Sequence, residues 1–460
     1  MPYRPPGHPL EVLQKLNLDE AFGPTDPRFV DTDAARGGVG TQRNLARKFG
    51  LDLELDRFFP NQQRHVLLFG PIGSGKSTEL LRLDDTLRRG QRLRPILLNV
   101  RSEIDINNLQ YADVLMALAM AVVRELETQA LDIPAAKLKT LNQWFTEQVR
   151  TDEKINELMA SITNEAGTEF GIPFLAKLTA RLTAAFKTSS VYKDSLREVV
   201  KKTFTQFADA FNALVEAAEE TLKERGLAER LLLIADGTDK IPLDDAERLF
   251  IHESEQLLAI QALVLYTAPI TLKYGGTSVS KLDTDEVLPI IKLQQRNGDR
   301  HEAGWLAMRE LLARRIDPAA FTEPKLIDRL IEFSGGHPRE LLRLLRMACE
   351  LTESERIEAP TVERAIDKLA ADFRYWLQPE DYKLLAEVDA AKGAHVGNDE
   401  RTRNLLWRLA LLHYNDGSWR ATHPVVRRLE GYQEALRTLA PAPAKHTGSS
   451  GRRGTGKGRP

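Results

Sequence analysis

One eight-residue stretch, Gly70-Pro71-Ile72-Gly73-Ser74-Gly75-Lys76-Ser77, constrains the fold of this chain more than any other. It follows the apolar run "HVLLF" (His65–Phe69) and leads into a helical pattern from about Ser77 to Arg89. A short apolar run stopped by glycines reads as a buried strand, so the stretch joins a strand to a helix. Its spacing, G-x-x-x-x-G-K-[ST], is that of the Walker A phosphate loop. Glycines let backbone N–H groups wrap a phosphate without side-chain clash, and the following helix offers its positive N-terminal end. Gly70 to Gly75, with Lys76, Ser77 and Thr78, are therefore the nucleotide-binding candidates. Lys76 is expected at the β- and γ-phosphates of ATP, and the Ser77 hydroxyl on Mg²⁺.

Such a loop needs an acid from another strand end to complete the Mg²⁺ site. "RLLLIADGTDK" (Arg230 to Lys240) supplies Asp236 directly after an apolar run. Asp239, three residues later, is the candidate for polarising an attacking water. Further short apolar runs are "RPILLNV" (Arg94 to Val100), "QALVLYTAPI" (Gln261 to Ile270) and "EVLPIIKL" (Glu286 to Leu293). Five such runs separated by helical patterns predict an α/β fold, a parallel sheet with helices on both faces. Residues 104–226 repeat apolar side chains at three- and four-residue spacing, as in "YADVLMALAMAVVRELETQAL", and read as a large helical insertion. Within it, "FGIPFLAKLTARLTAAFK" is cationic and amphipathic, and packing in a helical bundle is favoured over a membrane surface.

A chain of 460 residues exceeds one compact core. Its formal net charge of −2 sets up no global basic field for nucleic acid. Cys349 is the single cysteine, in an apolar helical pattern, and reads as a small core residue in a reducing compartment. No stretch reaches the roughly 18 apolar residues of a membrane span, and the N-terminus lacks an apolar h-region. These features predict a cytoplasmic protein without membrane partners.

The acidic strand end "LLIADGTD" resembles the AAA+ class of P-loop ATPases, and within it the signal-transducing STAND branch. "VLYTAPI" resembles the sensor-1 strand, which implies that Thr267 touches the γ-phosphate or its water; the arginine often found near that point in STAND proteins is lacking. "FSGGHPRELLRLL" resembles the G-x-P opening of a lid helix: Gly335-Gly336-His337 break one helix and Pro338 starts the next. By that resemblance Pro338 and Arg339 reach the nucleotide, Arg339 in the manner of a sensor-2 arginine. His337 reads equally as a helix cap. Arg101, Arg314 and Arg315 are candidates for an arginine finger, with no feature selecting among them. Residues 377–432 read as helix, helix and hairpin, the last carrying Asp416-Gly417, and resemble a winged helix. Its second helix, "RTRNLLWRLALL", is too apolar for a DNA-reading face and suits docking onto protein; His423 is expected to order the turn before Pro424.

The expected plan is an N-terminal arm (1–62), an ATPase core (63–298), a helical lid (299–376), a winged-helix-like unit (377–438) and a disordered basic tail (439–460). The resemblance implies an ATP-hydrolysing switch in bacterial signalling or anti-phage defence that self-associates or controls a separate effector. The rival reading is a DNA-acting AAA+ ATPase. A nucleotide-binding scaffold and a small-molecule kinase rank behind both.

Overall fold

The computed structural model describes residues 3–37, 40–104, 106, 108–148, 156, 171–188, 190–274, 281–282, 284–392, 397–415 and 419–439. Among these, nine strands form three sheets: β1 (Leu51–Asp52), β2 (Arg57–Phe58), β3 (Arg64–Gly70), β4 (Leu93–Asn99), β5 (Arg230–Asp236), β6 (Leu263–Pro269), β7 (Thr284–Val287), β8 (Leu411–Tyr414) and β9 (Trp419–Thr422). The central sheet has the order β4-β5-β6-β3-β7, every neighbour parallel. This is the α/β P-loop arrangement that the pattern of apolar runs predicts.

Parallel strands are covered on both faces, and the side-chain alternation shows it. Leu67, Phe69, Leu233, Ala235, Val264 and Tyr266 pack against the helices inserted between β4 and β5. The alternate residues Val66, Leu68, Leu232, Ile234, Leu263 and Leu265 pack against Leu80, Leu83 and Leu87 of the helix Lys76–Arg88 and against Leu45 and Phe49 of the arm. All these strand residues are buried.

The fifth apolar run departs from expectation. The strand is Thr284–Val287, shifted towards the N-terminus; the Leu288 N–H still bonds the Phe69 carbonyl of β3 at 2.8 Å, and residues 289–293 leave the sheet as a crossing linker. Pro289 has no N–H to give a ladder. The following amides bond elsewhere, Ile290 N–H to the His413 carbonyl and Lys292 N–H to the Ala35 carbonyl. Its apolar character is real but belongs to a buried junction, where Ile290 packs with Leu412, Tyr414 and Trp419.

Beyond the linker come helices Glu302–Ala313, Lys325–Ser334, Pro338–Leu351 and Ala359–Arg374, then Pro379–Ala390, Glu400–Trp407, the β8–β9 hairpin and Glu430–Leu439. One apolar cluster runs through all of them, taking in Val12, Val30 and Ala35 of the arm. Arm, lid and C-terminal unit therefore share a core, with no break near residue 376. Asp416-Gly417, residues 440–460 and the start of the amphipathic stretch at Phe170 lie outside the described residues.

Candidate functional site

The loop Gly70–Gly75 leaves β3 and enters the helix Lys76–Arg88 through two residues of positive φ, Gly73 (+87°) and Gly75 (+106°). Gly73 has a second reason to be glycine. A Cβ there would lie 2.6 Å from Arg339 Cβ and 2.9 Å from its Nε. Arg339 thus lies directly over the loop.

Lys76 is buried and donates to the carbonyls of Gly70 (2.7 Å) and Pro71 (3.0 Å). Its third contact is an ion pair with Asp239 Oδ2 at 2.8 Å. Burial pushes the Asp239 carboxyl up, but the Lys76 charge and hydrogen bond, with Lys240 and Thr267, outweigh it and hold it below the usual carboxylate range. Asp236 moves the other way. Burial and the Asp239 charge raise it, while a hydrogen bond with Ser77 and the charges of Lys240 and Lys76 pull back. Asp236 Oδ1, Asp239 Oδ1 and Ser74 Oγ are buried without a partner among the described residues. Buried oxygens rarely stay unpaired. A carboxylate with an unpaired oxygen beside a serine hydroxyl is a donor set suited to Mg²⁺, which typically takes one or two carboxylates and substrate phosphates.

Thr267 sits differently from the sensor-1 expectation. Its Oγ1 accepts from the N–H of Gly237 at 2.9 Å and of Asp239 at 3.3 Å, and it lowers the Asp239 carboxyl through a hydrogen bond. Fully buried behind the acidic turn, it holds Asp239 in position instead of facing the phosphate cleft.

The lid reaches the loop through His337. Its Nδ1 accepts from the Glu340 N–H (3.2 Å), capping the helix, so Nε2 carries the proton and donates to the Ile72 carbonyl at 3.0 Å. Burial, then the charges of Arg339 and His423, drive its pKa far down, so it is neutral. Pro338 occupies the first helical turn and lines the cleft with Arg339. Arg339 Nη2 pairs with Asp19 at 2.7 Å, and its Nε is buried without a partner.

Sequence reasoning missed the arm's contribution. Leu18, Phe22, Phe29, Val30 and Thr32 wall a cleft of about 120 Å³ whose floor is Gly73 to Glu79. Buried Arg36 donates from Nη2 to the Ser74 carbonyl at 2.6 Å, from Nη1 to the Pro289 carbonyl and from Nε to Thr32 Oγ1. The only sequence signal for Arg36 was the glycine-rich turn that follows it. Of the finger candidates, Arg315 donates to the Arg28 and Leu311 carbonyls and lies over Phe22, and burial lowers its pKa to about 10. Arg314 donates to Pro27 and Glu310. Both fasten the arm within the chain. Arg101 lies beside Gly237. Among the described residues no cluster of three or more His, Cys, Asp or Glu is placed to hold a metal by itself.

No family model and no curated protein matches the chain. Among solved structures it is similar to the Walker-type ATPase of Pyrococcus abyssi, at 12% identity and TM-score 0.39 over 92% of this chain and 100% of that one. It is also similar to a variant of RuvB from Thermotoga maritima, at 14% identity and TM-score 0.30 over 86% and 97% of the two chains. Among the described residues no helix is long and apolar enough to cross a membrane.

Proposed function

We propose that this chain is a Mg²⁺-dependent ATP-binding and ATP-hydrolysing switch of AAA+/STAND type, in which the lid senses the state of the phosphate loop. The observation that carries the reading is the buried Lys76–Asp239 pair beside the unpartnered Asp236 Oδ1. Lys76 reaches the β- and γ-phosphates by giving up Asp239, and the freed carboxylate then accepts a hydrogen bond from the water that attacks the γ-phosphorus. The bond from phosphorus to the bridging oxygen breaks, leaving ADP and phosphate. Ser77 and Asp236 would hold Mg²⁺, which when bound neutralises phosphate charge. Arg339 faces the loop from the lid, and Thr267 keeps Asp239 oriented.

The resemblance supports a role in bacterial signalling or defence in the cytoplasm, with self-association and a separate effector as partners. The winged-helix-like unit acts in this reading as a docking element. Arg401 is paired with Asp381 at 2.8 Å and Arg403 with Glu247 at 3.6 Å, while Arg408 lies over Trp376. Those arginines are thus engaged within the chain, which weighs against a DNA-acting ATPase. The test is solution mass and ATP hydrolysis of the full chain with and without ATP. Lys76→Ala should abolish hydrolysis and any ATP-dependent change in mass or co-purifying partner. Turnover unaffected by Lys76→Ala would overturn the reading, and DNA-stimulated turnover with a steep salt dependence would favour the rival.

A further inference from the structure

A second cleft lies on the far side of Arg36 from the nucleotide cleft. Four parts of the chain build it: Arg36, Gly37, Thr41 and Asn44 of the arm; Lys273, Asp285, Glu286 and Val287 at the end of the sheet; Pro289 and Lys292 of the linker; and Asn415 of the hairpin.

Lys292 is the anomaly. It is only 8% exposed, and among the described residues no oxygen accepts from its ammonium. The ammonium lies over Gly37, 3.6 Å from where a Cβ on that residue would stand. The Lys292 stem is buried while its ammonium lines the cleft, where an anion can reach it. The nearby carboxylates are already matched. Asp285 pairs with Lys273, and Glu286 with Lys48 at 3.4 Å and with Asn44 at 3.2 Å. Arg36 lies below, its charge shared with the nearby carboxylates of Glu79 and Asp33, and its hydrogen-bond acceptors are carbonyl and hydroxyl oxygens.

The second observation is the helix Thr41–Lys48, which begins at this cleft. Its cap, Gly40, offers no side-chain acceptor, and the first helical bond runs from the Asn44 N–H to the Gly40 carbonyl. The amides of Thr41, Gln42 and Arg43 therefore lack helical acceptors, at the positive end of the helix. Buried lysine, helix N-terminus and Thr41 side chain are the donor set of an oxyanion site.

We propose that this cleft binds a free phosphate-bearing anion, inorganic phosphate or a small phosphomonoester, with Lys292 as its counter-ion. Arg36 separates it from the nucleotide site and bonds the Ser74 carbonyl, so the occupant sits one side chain from the phosphate loop. It also spans the linker and the hairpin, which suits an effector. The inference does not rest on ATP turnover, and failure of that reading leaves the following titration intact.

Inorganic phosphate is titrated calorimetrically into the full chain. Two classes of site are expected: one lost in Lys76→Ala, the other at least about 10-fold weaker in Lys292→Met and kept in Lys292→Arg. A single class, lost in Lys76→Ala and unchanged in Lys292→Met, overturns the proposal. Circular dichroism checks folding. Should Lys292→Met not fold, Thr41→Val carries the test: a weakened second class supports the site, and an unchanged one overturns it.

Discussion

The phosphate end of the nucleotide cleft and the junction behind the lid helix are both buried, but with opposite polar bookkeeping. At the phosphate end, Asp236 Oδ1, Asp239 Oδ1, Ser74 Oγ and Arg339 Nε lack partners. At the junction the backbone carbonyls are met, Gly335 by the Tyr414 hydroxyl at 2.7 Å and Ile72 by His337, while His423 Nε2 is left without a hydrogen bond among the described residues. Glycines are required there by packing, since a Cβ on Gly336 would stand 1.9 Å from the Ile291 carbonyl oxygen and one on Gly335 2.4 Å from Leu412 Cδ1. In the proposed reading the first region binds the nucleotide and the second carries its state onward. The contrast separates two kinds of mutation: those that cost turnover at little cost in folding, and those that cost folding and change how folding responds to nucleotide.

The largest effect belongs to the cleft. Lys76→Ala and Asp236→Ala should each lower ATP turnover by at least about 10²-fold, measured as steady-state phosphate release. Asp236→Ala also removes a carboxyl whose pKa burial raises, so its unfolding midpoint should match or exceed that of the parent. A large loss of stability in Asp236→Ala would erase the contrast between the two regions.

Next is a pH effect at the junction. His423 is fully buried and packed against Phe373, and burial, with the charges of Arg343 and Arg427, lowers its pKa to about 3. Below the ordinary value of 6.5 the unfolded chain binds a proton that the folded chain refuses. Stability from this group is therefore complete above pH 6.5 and is lost progressively down to about pH 3. Between pH 7 and pH 5 the loss should be about 2 kcal/mol. Chemical unfolding at both values, compared with His423→Phe, isolates the term; equal pH slopes in the two proteins would remove His423 from the account.

Gly73→Ala comes third, since it strains a φ of +87° and meets Arg339. The strain is of order 1–3 kcal/mol and falls on the loop–lid contact, so weaker nucleotide binding is expected together with a lower unfolding midpoint. Measured against Arg339→Gly alone, which removes the nearest atom, Cβ, as well as the rest of the side chain, Gly73→Ala should cost less in unfolding midpoint. An equal cost in both backgrounds would mean that the backbone strain alone is responsible.

These residues also mark how far the sequence can be read. The strand–loop–helix at the Walker A stretch and the place of Asp236 at the end of β5 were legible because each apolar run is stopped directly by its glycines or its acid. The end of the fifth strand was not. The run from Glu286 to Leu293 is apolar enough for a sheet, and only the tertiary partners of Ile290 and Lys292 take it elsewhere. Arg36 and the His337–Ile72 bond were invisible for the same reason, because each joins residues 38 and 265 positions apart. Thr267 shows a subtler limit. Its strand-tip position was legible, but the direction of its hydroxyl depends on the Gly237–Asp239 turn folding back upon it.

The smallest effect is the sharpest test of coupling. Tyr414→Phe deletes one hydroxyl from the hairpin while keeping the ring stacked on Trp419 at 4.4 Å. The Gly335 carbonyl, buried beneath it, loses its donor, which costs about 1–2 kcal/mol. Gly335 lies two residues from His337, and His337 grips the loop at Ile72, so a nucleotide that moves the loop changes the load on this bond. The variant should lower the unfolding midpoint in both states, but by different amounts with and without an ATP analogue and Mg²⁺. Equal shifts in the two states would make the hairpin a passive brace, leaving the lid helix to act on the phosphate loop without it.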